Sequence, residues 1–226
     1  MDLRKIATLE AGKITIDPSL RLYIPFNEGI GDAAKDYSQY GNNGVLIDVE
    51  WGIQGGVFNG TSAYVNCGSD PSLSITDAIT IEAWVKPDSV TGVNEIVNDR
   101  GDFDGETNFE FRIRDGGLNL YWYNTIWRGW SSADDVCVTD KWQHIAVTRA
   151  TGNPILYVNG VEKAGYWRHG SDAPMLANIN PVIIGVQIPN IAHFDGSIGE
   201  VRIYSRALSA LEIKTMYENE RGKYEG

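Results

Sequence analysis

Cysteine, histidine and cationic side chains are the scarce residues of this sequence. Its 226 residues include two cysteines, Cys67 and Cys137, and three histidines. Two thiols cannot make a disulfide framework, and no close-spaced Cys/His set offers zinc four ligands. The two cysteines are read as buried free thiols, with one disulfide as the alternative. Lys and Arg number 19 against 30 Asp and Glu, a formal charge of −11. So acidic a surface repels phosphate backbones, which argues against nucleic acid as a partner. No apolar run approaches the ~20 residues of a membrane-spanning helix, which argues against membrane insertion. The N-terminus also lacks the apolar core of a secretory signal.

What is abundant is alternation. ITIEAWV (79–85), NFEFRIR (108–114), LNLYWYN (118–124), HIAVTR (144–149), ILYVNG (155–160) and GEVRIYS (199–205) carry β-branched and aromatic residues at period two. Between them lie turn signals such as Asp115-Gly116-Gly117 and Asn159-Gly160, the latter suited to a tight hairpin. Many short strands among 25 glycines predict an all-β antiparallel sandwich or barrel. One short helix is expected near 208–217, opened by the capping box Ser209-Ala210-Leu211-Glu212, with Leu211, Thr215 and Met216 turned inward. Residues 1–19 read as an N-terminal extension containing a hairpin, 20–217 as one domain, and 218–226 as a charged, fraying tail.

The order LYIPFNEGIGDAAKDYSQYGNNGVL, GVFNGTSAYVNC, ITIEAWVKP, KWQHIAVTR, ILYVNG and FDGSIGEVRIYSRALSALEI resembles the LamG-like jelly-roll domains of the concanavalin A-like lectin and glucanase superfamily. The resemblance covers roughly 20–217 and implies a jelly-roll sandwich of two curved antiparallel sheets with the first and last strands adjacent. It also implies one structural calcium ion, held by Asp36, by Asn42 and Asn43, by the Asn59–Ser62 turn with Ser62, and by Glu200. Hard oxygens of this mixed kind suit calcium. Where the family usually shows an acidic pair before Val201, this chain has Gly199-Glu200. A second acidic stretch, Asn98 to Glu106, lacks the full calcium-loop pattern and reads as a solvated loop.

Chemistry of catalysis is thinly represented. No closely spaced glucanase-type carboxylate motif occurs, and Glu82 and Glu110 read as the polar face of alternating strands. Arg112, Arg114, Gln143, His144, Tyr121 and Tyr123 supply lyase residue types without the motifs that would organise them. The expectation is therefore a non-catalytic, calcium-stabilised carbohydrate-binding or adhesion module, with a polysaccharide or glycan as partner. Its expected location is extracellular, cell-surface or virion-associated. The alternative is an assembly domain of a virion, fibre or surface protein that pairs with neighbouring protein chains; a polysaccharide hydrolase or lyase is the weaker alternative.

Sugars present apolar C–H faces beside hydroxyls, so aromatic rings among polar side chains are the place to look. The stretch YWYNTIWRGW supplies Tyr121, Tyr123, Trp127, Arg128 and Trp130, with Arg112, Trp167, Arg168, Asp102 and Asp104 as further candidates. Strand alternation puts Leu118, Leu120 and Trp122 in the core and Tyr121 and Tyr123 opposite. Trp127, Arg128 and Trp130 are expected in a loop or bend around Gly129.

Overall fold

The computed structural model describes residues 7–10, 13–101, 107–187 and 192–226. Among them, one sheet has nine strands. It runs from an edge at Gly165–His169 through Ile126–Ser132, Gly117–Asn124, Glu110–Arg114 and Val93–Asn98 to Ile183–Ile184, Tyr64–Asn66, Gly44–Ile47 and Ala33–Ala34. The second, of eight strands, centres on Ile79–Pro87, flanked by Gln143–Arg149 and by the long strand Asp195–Tyr204. The early strand Leu20–Ile24 pairs with Asp195–Tyr204, so the two ends of the jelly roll meet. All these pairings are antiparallel. Among the described residues, strands Ala7–Glu10 and Lys13–Ile16 pair with each other in a separate two-stranded sheet.

The core lies between the two large sheets. Ile79, Ile81, Ala83 and Val85 of one pack toward Phe111, Ile113, Leu118, Leu120 and Trp122 of the other. Cys67 and Cys137 are buried free thiols. Alternation breaks at one place that matters. A bulge between Ile198 and Glu200 lets Ile198, Val201 and Ile203 all reach the core, which turns Glu200 and Arg202 to the outer side. At the bulge, any side chain on Gly199 would run into the Tyr224 ring at 2.4 Å, so glycine is what permits the next layer.

That layer is the helix Ala210–Tyr224, opened by the expected capping box at Ser209 and Glu212. It is longer than expected: 218–224 is helical rather than a fraying tail. Its inner face also differs. Ile213, Glu220 and Tyr224 are buried, whereas Leu211 is exposed. The seat for this face is apolar at one end, where Ile213 packs with Leu20, Ala146, Tyr157 and Leu208, and polar at the other. Tyr224 stacks on Trp84 with ring centroids 4.4 Å apart, and the Trp84 indole N–H donates to Glu220 Oε2 at 3.0 Å. Trp84 is thus buried beneath the helix, outside the main core cluster. Arg202 is the hub: its guanidinium donates to Glu82 Oε1 (2.7 Å), Glu200 Oε2 (2.6 Å) and Glu220 Oε1 (2.8 Å). His144 pairs with the other Glu82 oxygen at 3.0 Å, the structural role of a strand histidine.

Candidate functional site

The open face of the nine-stranded sheet carries polar side chains in cross-strand rows, as alternation requires. In one row Glu95 lies opposite Arg112, Arg112 opposite Asn119, and Asn119 opposite Ser131, whose hydroxyl donates to Asn119 Oδ1 at 2.7 Å. In the next, Asn98, Glu110, Tyr121, Gly129 and His169 follow one another across five strands. Gly129 belongs there for a steric reason: a Cβ would meet the Tyr121 ring at 2.6 Å. The aromatic ring lies across the neighbouring backbone and closes the floor of a pocket of about 200 Å³. Arg100, Glu110, Arg112, Tyr121, Trp127 and His169 line it.

Glu110 organises the charges. Its two oxygens accept from Arg100 Nη1 at 2.9 Å and from Arg112 Nη1 at 3.0 Å, and Gln187 Nε2 donates to the first at 3.1 Å. The Arg112 guanidinium lies 4.3 Å from the Tyr121 ring centroid, and that of Arg100 lies 5.1 Å from the Trp127 ring. Beneath this layer the Tyr121 hydroxyl, Arg112 Nε and both Glu95 oxygens are buried and, among the described residues, make no hydrogen bond of proper geometry. Such atoms are rare enough in folded proteins to mark a polar site. Burial, reinforced by the nearby Glu110 charge, pushes the Glu95 carboxyl well above the usual carboxylate range; Arg112, Arg100 and the Asn98 side chain offset this only in part.

Asp99 closes the same strand end. Burial raises its pKa to about 7, against the pull of backbone N–H groups donated by Phe109 and Asn108. A carboxyl raised on folding keeps its proton in the folded state where the unfolded chain has lost it. Stability therefore falls as pH rises from near 4 through about 7. Asp99→Asn keeps an acceptor for the two N–H groups and removes the titration, so its denaturation midpoint declines less over that window. Urea melts of both proteins across the window measure this.

The expected sugar-binding residues divide between two faces. Tyr121, Tyr123 and Trp127 share the open face, Tyr123 and Trp127 meeting edge-on with centroids 5.6 Å apart. Tyr121 is only 4% exposed and capped by Arg112, so it is a floor rather than a stacking platform. Residues 126–132 form a strand, not the expected loop, and its alternation sends Arg128 and Trp130 to the other side. Trp130 joins the core, 5.1 Å from Trp167, and Arg128 reaches the carbonyls of Ser171 and Asn124. Asp102 and Asp104, with the rest of 102–106, lie outside the described residues. Sequence reading missed Arg100, His169 and Gln187; the one available signal was the glycine opposite an aromatic residue.

The expected calcium ligands are placed as follows. Asp36 Oδ1 accepts from Tyr23 N and Ser38 N, both at 2.8 Å, and Oδ2 from Ser38 Oγ at 2.6 Å and Asn42 N at 2.8 Å. Glu200 Oε1 accepts from Lys223 Nζ and Tyr224 OH, both at 3.0 Å, and Oε2 from Tyr23 OH at 2.8 Å and Arg202 Nη2 at 2.6 Å. A carboxylate has about four lone-pair sites, so both are filled by protein donors. Asn43 Oδ1 accepts from Asp36 N, Asn42 Nδ2 donates to Arg21 O, and Ser62 Oγ accepts from Asn59 Nδ2. Among the described residues no three His, Cys, Asp or Glu side chains gather at metal-binding range. In this arrangement these residues do not fit calcium. Chelator accordingly leaves the melting midpoint unchanged, while Asp36→Asn, which turns an amide N–H against the loop donors, costs roughly 1–3 kcal/mol. Thermal melts with EDTA and with added calcium check both.

The fold agrees with similarity to known proteins. A laminin-G family model of the concanavalin A-like lectin/glucanases superfamily matches residues 59–214. The chain belongs to this family. No curated protein matches this laminin-G-type chain in sequence. Its sandwich is similar to the receptor binding domain of botulinum neurotoxin D, with TM-score 0.66 and 17% identity over 90% of this chain and 53% of that one. It also resembles the serotype D ligand binding domain in complex with N-acetylneuraminic acid, with TM-score 0.66 and 18% identity over 90% and 51%. The binding domain of Paraclostridial Mosquitocidal Protein 1 follows at 0.62 and 16%, over 89% and 52%. The laminin-G-type chain spans about half the length of these structures, and at such identities the likeness is one of fold. None of its described helices is long and apolar enough to cross a membrane.

Proposed function

We propose that this chain is a non-catalytic carbohydrate-binding module that takes glycan in the Tyr121–Trp127 pocket on the open face of the nine-stranded sheet. The observation that carries the reading is the joining, in one open pocket, of a half-buried tryptophan with a carboxylate, two guanidiniums and a histidine. Sugar recognition needs both an apolar surface for the ring face and fixed polar groups for its hydroxyls. One structural relative is a ligand binding domain solved with a sugar, which supports the reading at the level of fold. Glu110 is held by three donors, so the carboxylate lining the pocket has a binding and bracing role rather than that of a catalytic nucleophile.

A glycan array probed with the whole chain tests this. The expected result is a set of bound glycans whose signal disappears in Trp127→Ala; an empty array at millimolar glycan would end the proposal. A second role, docking to neighbouring chains, draws support from the strands Ala7–Glu10 and Lys13–Ile16, which pair in a two-stranded sheet. Concentration-dependent mass measured by light scattering would reveal it.

A further inference from the structure

The pocket holds more hydrogen-bond donors than its own acceptors use, and two of the spare donors are spaced for a carboxylate. Among the described residues its lining sets two guanidiniums, Arg100 and Arg112, against one carboxylate, Glu110. Glu95, opposite Arg112, is fully buried, and that burial keeps it neutral, so it brings no opposing charge. Arg112 is 8% exposed, and its one hydrogen bond among the described residues runs from Nη1 to Glu110 Oε2 at 3.0 Å. Nε is buried with no acceptor, and Nη2 is also unused. Nε–H and one Nη2–H form the side edge of the planar guanidinium, away from Nη1, and point the same way; such a fork matches the two oxygens of one carboxylate. The Tyr121 ring, 4.3 Å away, holds that plane, and the Tyr121 hydroxyl is a further buried donor without an acceptor. A single hydroxyl satisfies one arm of the fork and a carboxylate satisfies both. The chain's charge of −11 acts against an anion at long range, but salt screens it within ~8–10 Å, and at contact the fork decides.

On the strength of the glycan-binding reading, we propose that the pocket takes a sugar ring that carries a carboxylate, and that the Nε–Nη2 edge of Arg112 selects it. The carboxylate lies on that edge and the C–H face of the ring on Trp127. A ring hydroxyl donates to Glu110, which has three donors and keeps room for one more. The whole chain is titrated, by calorimetry or tryptophan fluorescence, with matched pairs that differ only at the carboxylate. These are oligosaccharides ending in glucuronic acid or glucose, in galacturonic acid or galactose, and in N-acetylneuraminic acid or its methyl ester.

The expected result is that the acid of at least one pair binds about tenfold or more tighter than its uncharged counterpart, and that Trp127→Ala weakens it by a similar factor. Arg112→Lys keeps the charge and removes the planar fork, so the acid falls to within about threefold of its counterpart. The matched pairs are compared on the wild type, so the carboxylate preference is tested even if that variant fails to fold. Uncharged members bound as tightly as the acids, and lost in Trp127→Ala, would overturn the preference and leave the glycan-binding reading standing. A preference that survives in folded Arg112→Lys would overturn the assignment to the fork. No member of any pair bound would overturn the glycan-binding reading and the preference together.

Discussion

Replacing Arg202 by methionine lowers the unfolding free energy by about 3–5 kcal/mol, because a buried ion cluster loses its only central cation. Arg202 is 2% exposed and joins Glu82 and Glu200 on neighbouring strands to Glu220 on the helix. Its guanidinium also covers the Tyr23 ring at 4.2 Å. Against the cost of burial, Arg202 holds the Glu82 and Glu200 carboxyls below the usual range, helped by the hydrogen bond to His144 at Glu82 and by Lys223 at Glu200. Glu220, buried and facing those two charges, is raised. The sign for the lowered pair is definite: a depressed carboxylate contributes stability above its unfolded pKa and loses it as pH falls through the folded value. Without Arg202 the same carboxyls favour their protonated forms. The deficit of the variant is therefore largest near neutral pH and narrows as pH falls into the ordinary glutamate range. Urea denaturation at a series of pH values measures it; a deficit independent of pH would mean that the loss is one of packing.

Trp122→Ala and Trp127→Ala separate stability from recognition along one hairpin. Trp122 is fully buried, donates to Ala173 O at 3.0 Å and lies under the Arg149 guanidinium at 4.8 Å. Its removal leaves a large cavity and costs about 3–5 kcal/mol. Trp127 pairs across the hairpin with Tyr123 on the open face, is half-buried, and its removal costs well under that in stability while abolishing glycan binding. Melting midpoints and glycan titrations of the two variants make the comparison. Loss of stability in Trp127→Ala with binding intact would assign both tryptophans to the core.

Much of this division is legible in sequence, because alternation is local. Leu118, Leu120 and Trp122 on one side and Tyr121 and Tyr123 on the other follow from a period of two, and the capping box at Ser209 marks the helix start. What alternation could not supply is where strands stop and how distant strands align. The strand at 126–132 looks like a bend because Arg128, Gly129 and Ser131 interrupt its apolar pattern, yet its register with 119–124 decides that Trp130 faces the core. The pocket gathers Arg100, Glu110, Tyr121 and His169 from four separate segments, a convergence set by pairing rather than spacing. The helix hid its inner face because that face mixes Ile213 and Tyr224 with the buried Glu220, whose partner Arg202 lies on a strand that only the fold brings beneath it. The calcium expectation failed to anticipate the donors around Asp36 and Glu200, which come mostly from backbone N–H groups and from a helix read as a tail.

Amide chemical-shift mapping by NMR, with a glycan selected from the array, tests the central claim most directly. The account predicts that shifts concentrate in Glu110–Arg114, Gly117–Asn124, Ile126–Ser132 and Gly165–His169, together with the Trp127 indole N–H. Shifts concentrated instead along the helix Ala210–Tyr224, or on the outer side of the eight-stranded sheet, would contradict it.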